Sequence, residues 1–139
     1  MQSIVVDAGP LIALFDPSDR HHARALAFMQ ETRSAVLITN FLVIGEVAAM
    51  LSAYPKNLFS FLGWVANSIE LDAETKNDMA RIVAIMRKYA DLPADIADAS
   101  LVAMCERRQI TAVAAIDSDF DVYRLHGKKK IENQWTRRA

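Results

Sequence analysis

Short apolar runs alternate along the chain with longer segments in which apolar residues recur at helical spacing. The apolar runs predict strands over residues 3–6, 35–38, 68–71 and 111–116, with a last edge strand over 130–133. The segments between them predict helices over residues 10–15, 20–32, 41–53, 58–66, 73–89 and 93–108, and a helical turn over 120–124. Strands that are apolar throughout are typical of a mainly parallel sheet covered by helices on both faces. The pattern therefore predicts an α/β fold.

The composition indicates the number of domains and the cellular compartment, but it does not indicate a chemical activity. The 139 residues suit one domain over 1–139, and the formal net charge of −1 does not by itself indicate nucleic-acid binding. Cys105 is the only cysteine, which rules out an intrachain disulfide and favours a reducing cytoplasm. No apolar run approaches the ~20 residues that a membrane-spanning helix needs, so no membrane association is expected.

Two carboxylates follow predicted strands directly. Asp7 ends the run Ile4, Val5 and Val6, and Asp117 ends the late run over 111–116. Because the carboxyl ends of parallel strands meet at one edge of a sheet, where ligands bind in such folds, we expect both side chains at the same edge.

Three further acids lie on predicted helices. Glu46 is the only charged residue in FLVIGEVAAML and shares a helical face with Leu42 and Met50, which predicts a carboxylate among apolar neighbours. Asp95 and Asp98 lie three residues apart near the start of another helix, where the helix N-terminus stabilises negative charge.

Each acid also has an ordinary structural explanation. Asp7, Asp95 and Asp117 could cap the helices that follow them. Glu46 could pair with a buried arginine, either Arg24 or Arg81. Taken together, however, the acids predict carboxylates from four segments converging at one edge, where proton sharing or a bound cation must relieve their repulsion. An oxygen-rich cluster of this kind favours Mg²⁺ or Mn²⁺ over zinc.

Basic residues and histidines are interpreted from their position in the chain. Five basic residues would contact a polyanion such as an RNA backbone only if an acidic pocket lies nearby, and a solvated surface is the simpler explanation of them taken alone: Arg107, Arg108, Lys128, Lys129 and Lys130. His21 and His22 are distant from the acids in sequence and are expected on the surface. The chain contains no GxGxxG after the first strand, no GxxxxGK[ST] and no GxSxG, which argues against dinucleotide, P-loop and esterase sites.

Three blocks in order carry a family resemblance: IVVDAGPLIALFD, NFLVIGEV and LPADIADASLVAMCERRQITAVAAIDSDFDVYR. The sequence resembles PIN-domain ribonucleases, specifically VapC-type toxins of toxin–antitoxin modules. The resemblance implies a three-layer α/β/α fold and metal-dependent cleavage of RNA. It also implies that four acids are catalytic and bind the metal: Asp7, Glu46, Asp98 and Asp117. Asp95 and Asp119 are implied as auxiliary residues. Ala8 and Ala115 depart from the family pattern, because many relatives carry a hydroxyl side chain at these positions.

The resemblance further implies a small antitoxin that covers the pocket and inserts a basic side chain among the acids. The apolar helices over 41–51 and 58–65 contain more apolar side chains than a small core needs, including Phe59, Phe61 and Trp64. About half of these side chains are expected in the core and the rest at a homodimer seam. Two alternatives stay open: a non-catalytic PIN-like module that binds RNA or protein, and a metal-dependent phosphatase.

Overall fold

A parallel sheet forms the centre of the molecule. The computed structural model describes residues 1–92 and 94–137, and it describes residue 137 by its backbone only. Its strands are β1 (Ser3–Val6), β2 (Val36–Asn40), β3 (Glu70–Asp72), β4 (Ala112–Ala114), β5 (Arg124–Leu125), β6 (Lys129–Lys130) and β7 (Glu132–Asn133). In the described residues the central sheet has the order β3-β2-β1-β4-β7, and every neighbouring pair in it is parallel. The predicted parallel sheet is confirmed.

Helices cover the sheet in two groups. They are α1 (Ala8–Phe15), α2 (His22–Glu31), α3 (Phe41–Leu51), α4 (Pro55–Ser68), α5 (Met79–Lys88), α6 (Ile96–Arg108) and α7 (Gln134–Arg137). Helices α1 to α4 contact one another, while α5 packs along α6. The fold is the predicted three-layer α/β/α arrangement. In the described part of the chain, every helix is too short or too polar to cross a membrane.

The predicted helix over 73–89 and the predicted strand over 130–133 are each interrupted. Asp72 accepts a hydrogen bond from the Glu74 backbone N–H at 2.9 Å, which turns the chain, and a 3₁₀ turn over Thr75–Asp78 precedes α5. His126 and Gly127 have positive φ angles of 52° and 74°, so the chain reverses there and β6 pairs antiparallel with β5. Of the three strands β5, β6 and β7, only β7 joins the central sheet. Pro93, predicted to open the helix that contains Asp98, lies outside the described residues.

The central strands are buried because apolar side chains cover both of their faces. Ile4, Val5, Val113 and Ala114 have no solvent exposure, and Cys105 is equally buried, as its apolar neighbours predict. Burial on both faces fixes the register of each strand against its neighbours in the sheet. The residues that follow β1 and β4 are consequently delivered to one edge in a fixed register, Val6 beside Ala114.

Candidate active site

Seven carboxylates line one cavity of about 770 Å³ at the edge where β1 and β4 end. Asp19 comes from the loop between α1 and α2, and the other six come from the end of β1, from α3, from the start of α6 and from the segment after β4: Asp7, Glu46, Asp95, Asp98, Asp117 and Asp119. The structure thus brings together all six acids that the sequence singled out. We refer to this cavity as the acidic pocket.

Asp7 is the most buried of these acids, with 7 % of its surface exposed. Its backbone N–H donates to the Ala114 carbonyl at 2.9 Å, which ties the end of β1 to the end of β4. Asp7 occupies the N-cap position of α1, but its side chain makes no capping hydrogen bond there. A Cβ on Gly9 would lie 3.2 Å from the Cβ of Ile116, so the glycine permits the close approach of α1 to the segment before Asp117.

Asp98 and Asp95 have different tasks at the start of α6. Asp95 is exposed and caps the helix, accepting a hydrogen bond from the Asp98 backbone N–H at 2.8 Å. Helix capping is the ordinary structural explanation that the sequence also offered for Asp95. Asp98 is half-buried, and its Oδ2 accepts a hydrogen bond from the buried Tyr123 hydroxyl at 3.0 Å. Tyr123 therefore fixes the orientation of the Asp98 carboxylate.

Glu46 lies on the exposed side of α3, which corrects the prediction that it emerges among buried apolar neighbours. The buried face of α3 is formed instead by other residues, including Val43 and Val47, while Met50 beside Glu46 is 63 % exposed. Asn40 caps α3 by accepting from the Val43 N–H at 3.2 Å, and its Nδ2 donates to Ser100 Oγ at 2.9 Å. The start of α3 is thereby fastened to α6 beside Asp98.

The segment that carries Asp117 and Asp119 follows β4. The Asp117 side chain accepts a hydrogen bond from the Asp119 N–H at 2.9 Å and caps a 3₁₀ turn over Ser118–Asp121. Just before it, the Asn133 side chain accepts from the Ala115 N–H at 3.3 Å and donates to the Ala115 carbonyl at 2.9 Å. Asn133 thus supports the backbone at a position where the family hydroxyl is missing.

Burial and mutual repulsion disfavour ionisation in the acidic pocket. Burial, followed by the neighbouring Asp98, raises the pKa of Asp7 to about 8, although the Ala8 backbone N–H partly offsets this. Burial and then Asp95 raise the pKa of Asp98 to about 7, against a lowering by the Tyr123 hydroxyl. The pKa of Glu46 is also raised, by burial and then by Asp95.

In the described part of the chain, no side-chain nitrogen of Lys, Arg or His lies within 4 Å of a carboxylate of the acidic pocket, so none of these acids forms an ion pair. The two arginines considered as partners of Glu46 pair elsewhere: Arg24 contacts Glu31 at 3.3 Å and Arg81 contacts Glu106 at 2.7 Å. The arginine explanation of Glu46 is therefore wrong.

The donor set fits a hard divalent cation that retains water. Among the described residues, no three His, Cys, Asp or Glu side chains already stand together as a set of metal ligands. Mg²⁺ commonly takes only one or two protein carboxylates and completes its shell with water and substrate phosphate oxygens. Asp7 and Asp98 fit this requirement, because both carboxylates line the same cavity and Asp98 lies close enough to raise the pKa of Asp7.

The predicted RNA-contacting residues lie away from the acidic pocket. Arg107 binds Asp72 at 2.7 Å and Asp78 at 2.9 Å, and Arg108 binds Glu70 at 2.6 Å. These pairs hold the end of α6 against β3 and the following 3₁₀ turn. The three lysines are exposed on the β5–β6 hairpin: Lys128, Lys129 and Lys130. One of them, Lys129, lines a separate cavity together with residues that precede β4.

Four residues at or beside the site were not singled out from the sequence: Asp19, Arg20, His21 and Tyr123. Asp19, Arg20 and His21 line the acidic pocket, whereas the distance of His21 from the acids along the sequence predicted a surface residue. Tyr123 reaches Asp98 from 25 positions along the chain. The signal for Tyr123 was its place three residues after Phe120 in a predicted helical turn, but no sequence signal connected Arg20 or His21 to the acids.

Comparison with known proteins assigns the family. The family model for the PIN domain matches residues 4–125, which include all seven acids of the pocket. The chain belongs to the PIN-domain family. PIN domains are generally nucleases that use divalent metal ions, and membership supports a hydrolase acting on RNA. A comparison with curated proteins gives no match.

Two solved structures share the fold of this PIN domain. VapC20 of Mycobacterium tuberculosis, described as a toxin that cleaves the sarcin–ricin loop, is 19 % identical with a TM-score of 0.77. The match covers 86 % of this chain and 93 % of VapC20. FitAcB from Neisseria gonorrhoeae is 16 % identical with a TM-score of 0.54, covering 83 % of this chain and 88 % of the other. The predicted resemblance to PIN-domain VapC toxins is thus confirmed in the fold.

Proposed function

We propose that this PIN domain is a metal-dependent endoribonuclease that acts as the toxin of a toxin–antitoxin module. The observation that carries the proposal is Asp7: a carboxylate 7 % exposed, beside Asp98, with no cationic partner within 4 Å in the described residues. Burying two carboxylates together is unfavourable unless they take up a proton or a cation joins them, and only a cation leaves both ionised. A site with this property suits a protein whose family generally cleaves nucleic acid.

Asp7 and Asp98 would hold Mg²⁺ or Mn²⁺, directly or through water, and Glu46 and Asp117 would complete the site or a second one. When bound, the ion supplies Lewis-acid stabilisation of a phosphate oxygen and lowers the pKa of a water molecule. Asp95 and Asp119 contribute negative charge from the rim of the acidic pocket. The Tyr123 hydroxyl donates to Asp98 and would fix the orientation of this carboxylate as it holds the ion.

The remaining chemistry falls to the acids that stay exposed. Glu46 and Asp117 are both accessible from the acidic pocket, and either carboxylate can accept the proton of the attacking water. Because water, rather than the RNA 2′-hydroxyl, attacks phosphorus, the products carry 5′-phosphate and 3′-hydroxyl ends. The substrate class is single-stranded or looped RNA, in keeping with the description of VapC20 as a loop-cleaving toxin.

The proposal extends to organisation and partners. Residues 1–139 form one PIN-like domain that acts in the cytoplasm, where RNA is available and Cys105 stays reduced. Several large apolar side chains of α3 and α4 and the turn between them are exposed: Phe41, Met50, Tyr54, Phe59 and Leu62. Phe61, by contrast, is fully buried and packs edge-on against Phe15 at 5.4 Å. The exposed group suits a homodimer seam, while a small antitoxin covers the acidic pocket.

Cleavage of an end-labelled RNA stem-loop tests the function. We expect cleavage with Mg²⁺, none with EDTA, and a loss of about 10²-fold or more in Asp7→Asn and Asp98→Asn. Asp91→Asn is the matched control, since Asp91 is exposed and lies outside the acidic pocket, and it should retain full activity.

Three other results would each contradict the proposal. Equal cleavage with Mg²⁺, with EDTA and in both Asn variants would show that the acids and the metal are not needed for the activity. RNA binding without cleavage would favour the non-catalytic PIN-like module. Hydrolysis of p-nitrophenyl phosphate without RNA cleavage would favour the phosphatase.

A further inference from the structure

The loop between α1 and α2, residues 16–21, forms one wall of the acidic pocket. Asp19, Arg20 and His21 of this loop line the cavity. Among the described lining residues, Arg20 and His21 are the basic ones, and they face a pocket of carboxylates. A cationic side chain placed there therefore offsets part of the negative charge that the carboxylates give the pocket.

Local hydrogen bonds shape this loop. Asp16 Oδ1 accepts from the Ser18 backbone N–H at 3.0 Å and from the Ser18 hydroxyl at 2.6 Å. Asp19 Oδ1 accepts from the His21 N–H at 2.8 Å. These side-chain-to-backbone bonds turn the chain on both sides of Arg20. The arginine is thus carried by a defined turn rather than by an unconstrained segment.

Within the part of the chain that the structure describes, the Arg20 side chain makes one hydrogen bond. Its Nε donates to His21 Nε2 at 3.1 Å. The His21 ring packs edge-on against the buried Trp135 indole, with 6.4 Å between ring centroids. Within the described residues no carboxylate lies within 4 Å of Arg20, so its two terminal amino groups are available to a ligand.

We infer that Arg20, held by His21, binds a backbone phosphate of the RNA beside the phosphate that is cleaved. This assignment rests on the proposed ribonuclease function. A cation bound by Asp7 and Asp98 offsets charge at one phosphate, but the rim acids still repel the neighbouring phosphates of the strand. A guanidinium with two free amino groups matches a phosphate in a bidentate geometry.

The basic residues that the sequence suggested for RNA contact do not line the acidic pocket. Arg107 and Arg108 are engaged by Asp72, Asp78 and Glu70 at the end of α6. Lys129 lines a different cavity. The inference therefore moves the RNA-backbone contact from the basic residues that the sequence suggested to Arg20.

Binding of a fluorescein-labelled single-stranded RNA, measured by anisotropy over a range of salt concentrations, tests the assignment. All variants carry Asp98→Asn so that the RNA is not cleaved. We expect Arg20→Ala to weaken binding about tenfold at low salt. We also expect it to reduce the slope of log K against log salt by about 0.7, the value for one phosphate contact to a single strand. Arg20→Lys and His21→Ala should lie in between, because each keeps the charge and loses geometry or anchoring.

Arg33→Ala is the matched control. Arg33 is an exposed arginine that precedes β2, at the opposite edge of the sheet, and its removal should change binding less than twofold. In the chain with Asp98 intact, Arg20→Ala should raise KM more than it lowers kcat and leave the thermal shift caused by Mg²⁺ unchanged. An intact chain that cleaves RNA while Arg20→Ala behaves like Arg33→Ala would overturn the assignment of Arg20 alone. An intact chain that neither binds nor cleaves RNA would overturn the proposed function and this assignment with it.

Discussion

Two groups of acids in this protein differ in whether an arginine pairs with them. In the acidic pocket, no basic side chain of the described residues lies within 4 Å of Asp7 or Asp98, and burial and neighbouring acids raise the pKa of each. Near the end of α6, Asp72 is equally buried, yet Arg107 and Arg108 bind it and its pKa is lowered. Burial alone raises a carboxyl pKa, so the arginines reverse the outcome.

Glu106 extends the arginine-paired group. Its carboxylate receives two hydrogen bonds from Arg81, at 2.7 and 2.9 Å, and one from the His126 backbone N–H at 2.6 Å. The pKa of Glu106 is lowered because these bonds outweigh its burial. A buried acid that accepts several hydrogen bonds from an arginine and the backbone contributes to the fold. A buried acid left among like charges is a candidate for binding a cation that the chain does not supply.

The largest expected effect is a pH dependence of stability in the metal-free protein. The pKa of Asp7 in the fold is about 8, and that of Asp98 about 7, against 3.8 when unfolded. Between these values the folded chain retains protons that the unfolded chain has released, so the free energy of unfolding falls as pH rises from about 4 to about 8. The slope is at most about 1.4 kcal/mol per pH unit for each carboxyl.

Thermal unfolding from about pH 5 to pH 8 measures this effect. Excess Mg²⁺ should remove most of the fall, because the cation favours the ionised carboxylates. Asp7→Asn should flatten the metal-free profile. A profile that is flat in the unchanged protein, or that falls as steeply in Asp7→Asn, would show that the two groups of acids do not differ in this way.

The second prediction concerns the arginine-paired group. Asp72→Asn removes a charge that is bound by Arg107 and Arg108, and we expect a loss of about 2 kcal/mol in the free energy of unfolding. Asp7→Asn, by contrast, removes repulsion and should maintain or raise the stability of the metal-free protein. Urea denaturation of both variants at neutral pH makes the comparison. Equal losses in the two would contradict it.

The smallest effect is expected where a neutral hydroxyl supports the acidic pocket. Tyr123→Phe keeps the ring, which packs against Tyr89 and Phe120 with 5.1 Å between centroids, and removes the hydrogen bond to Asp98. We expect Mg²⁺ affinity and kcat/KM to fall about tenfold. The pH at which metal binds should also rise, because the hydroxyl lowers the pKa of Asp98.

Tyr89→Phe is the matched control for this variant. The Tyr89 hydroxyl accepts a hydrogen bond from the Arg124 backbone N–H at 3.0 Å and belongs to the same aromatic group. Its removal should cost about 1 kcal/mol of stability without altering Mg²⁺ affinity, as titration calorimetry can measure. An equal loss of metal affinity in both variants would reduce Tyr123 to a packing residue.

The periodicity of apolar residues predicted most of the fold, since buried strands and amphipathic helices differ in repeat. The errors lie where a local hydrogen bond or a positive φ interrupts a run, as at Asp72 and at Gly127. The acids of the pocket could be predicted because strand ends meet at one edge. Glu46 illustrates the limit: its apolar neighbours in sequence did not reveal which face of α3 would be buried.

The sequence by itself determined the order of the elements, the parallel sheet and the set of acids delivered to its edge, because these depend on spacing along the chain. Tertiary structure decided which charges meet. It paired Arg107 and Arg108 with Asp72 and placed Arg20 at the acidic pocket. Ion pairing depends on distances of a few ångströms between segments that are far apart in sequence, and only packing fixes those distances.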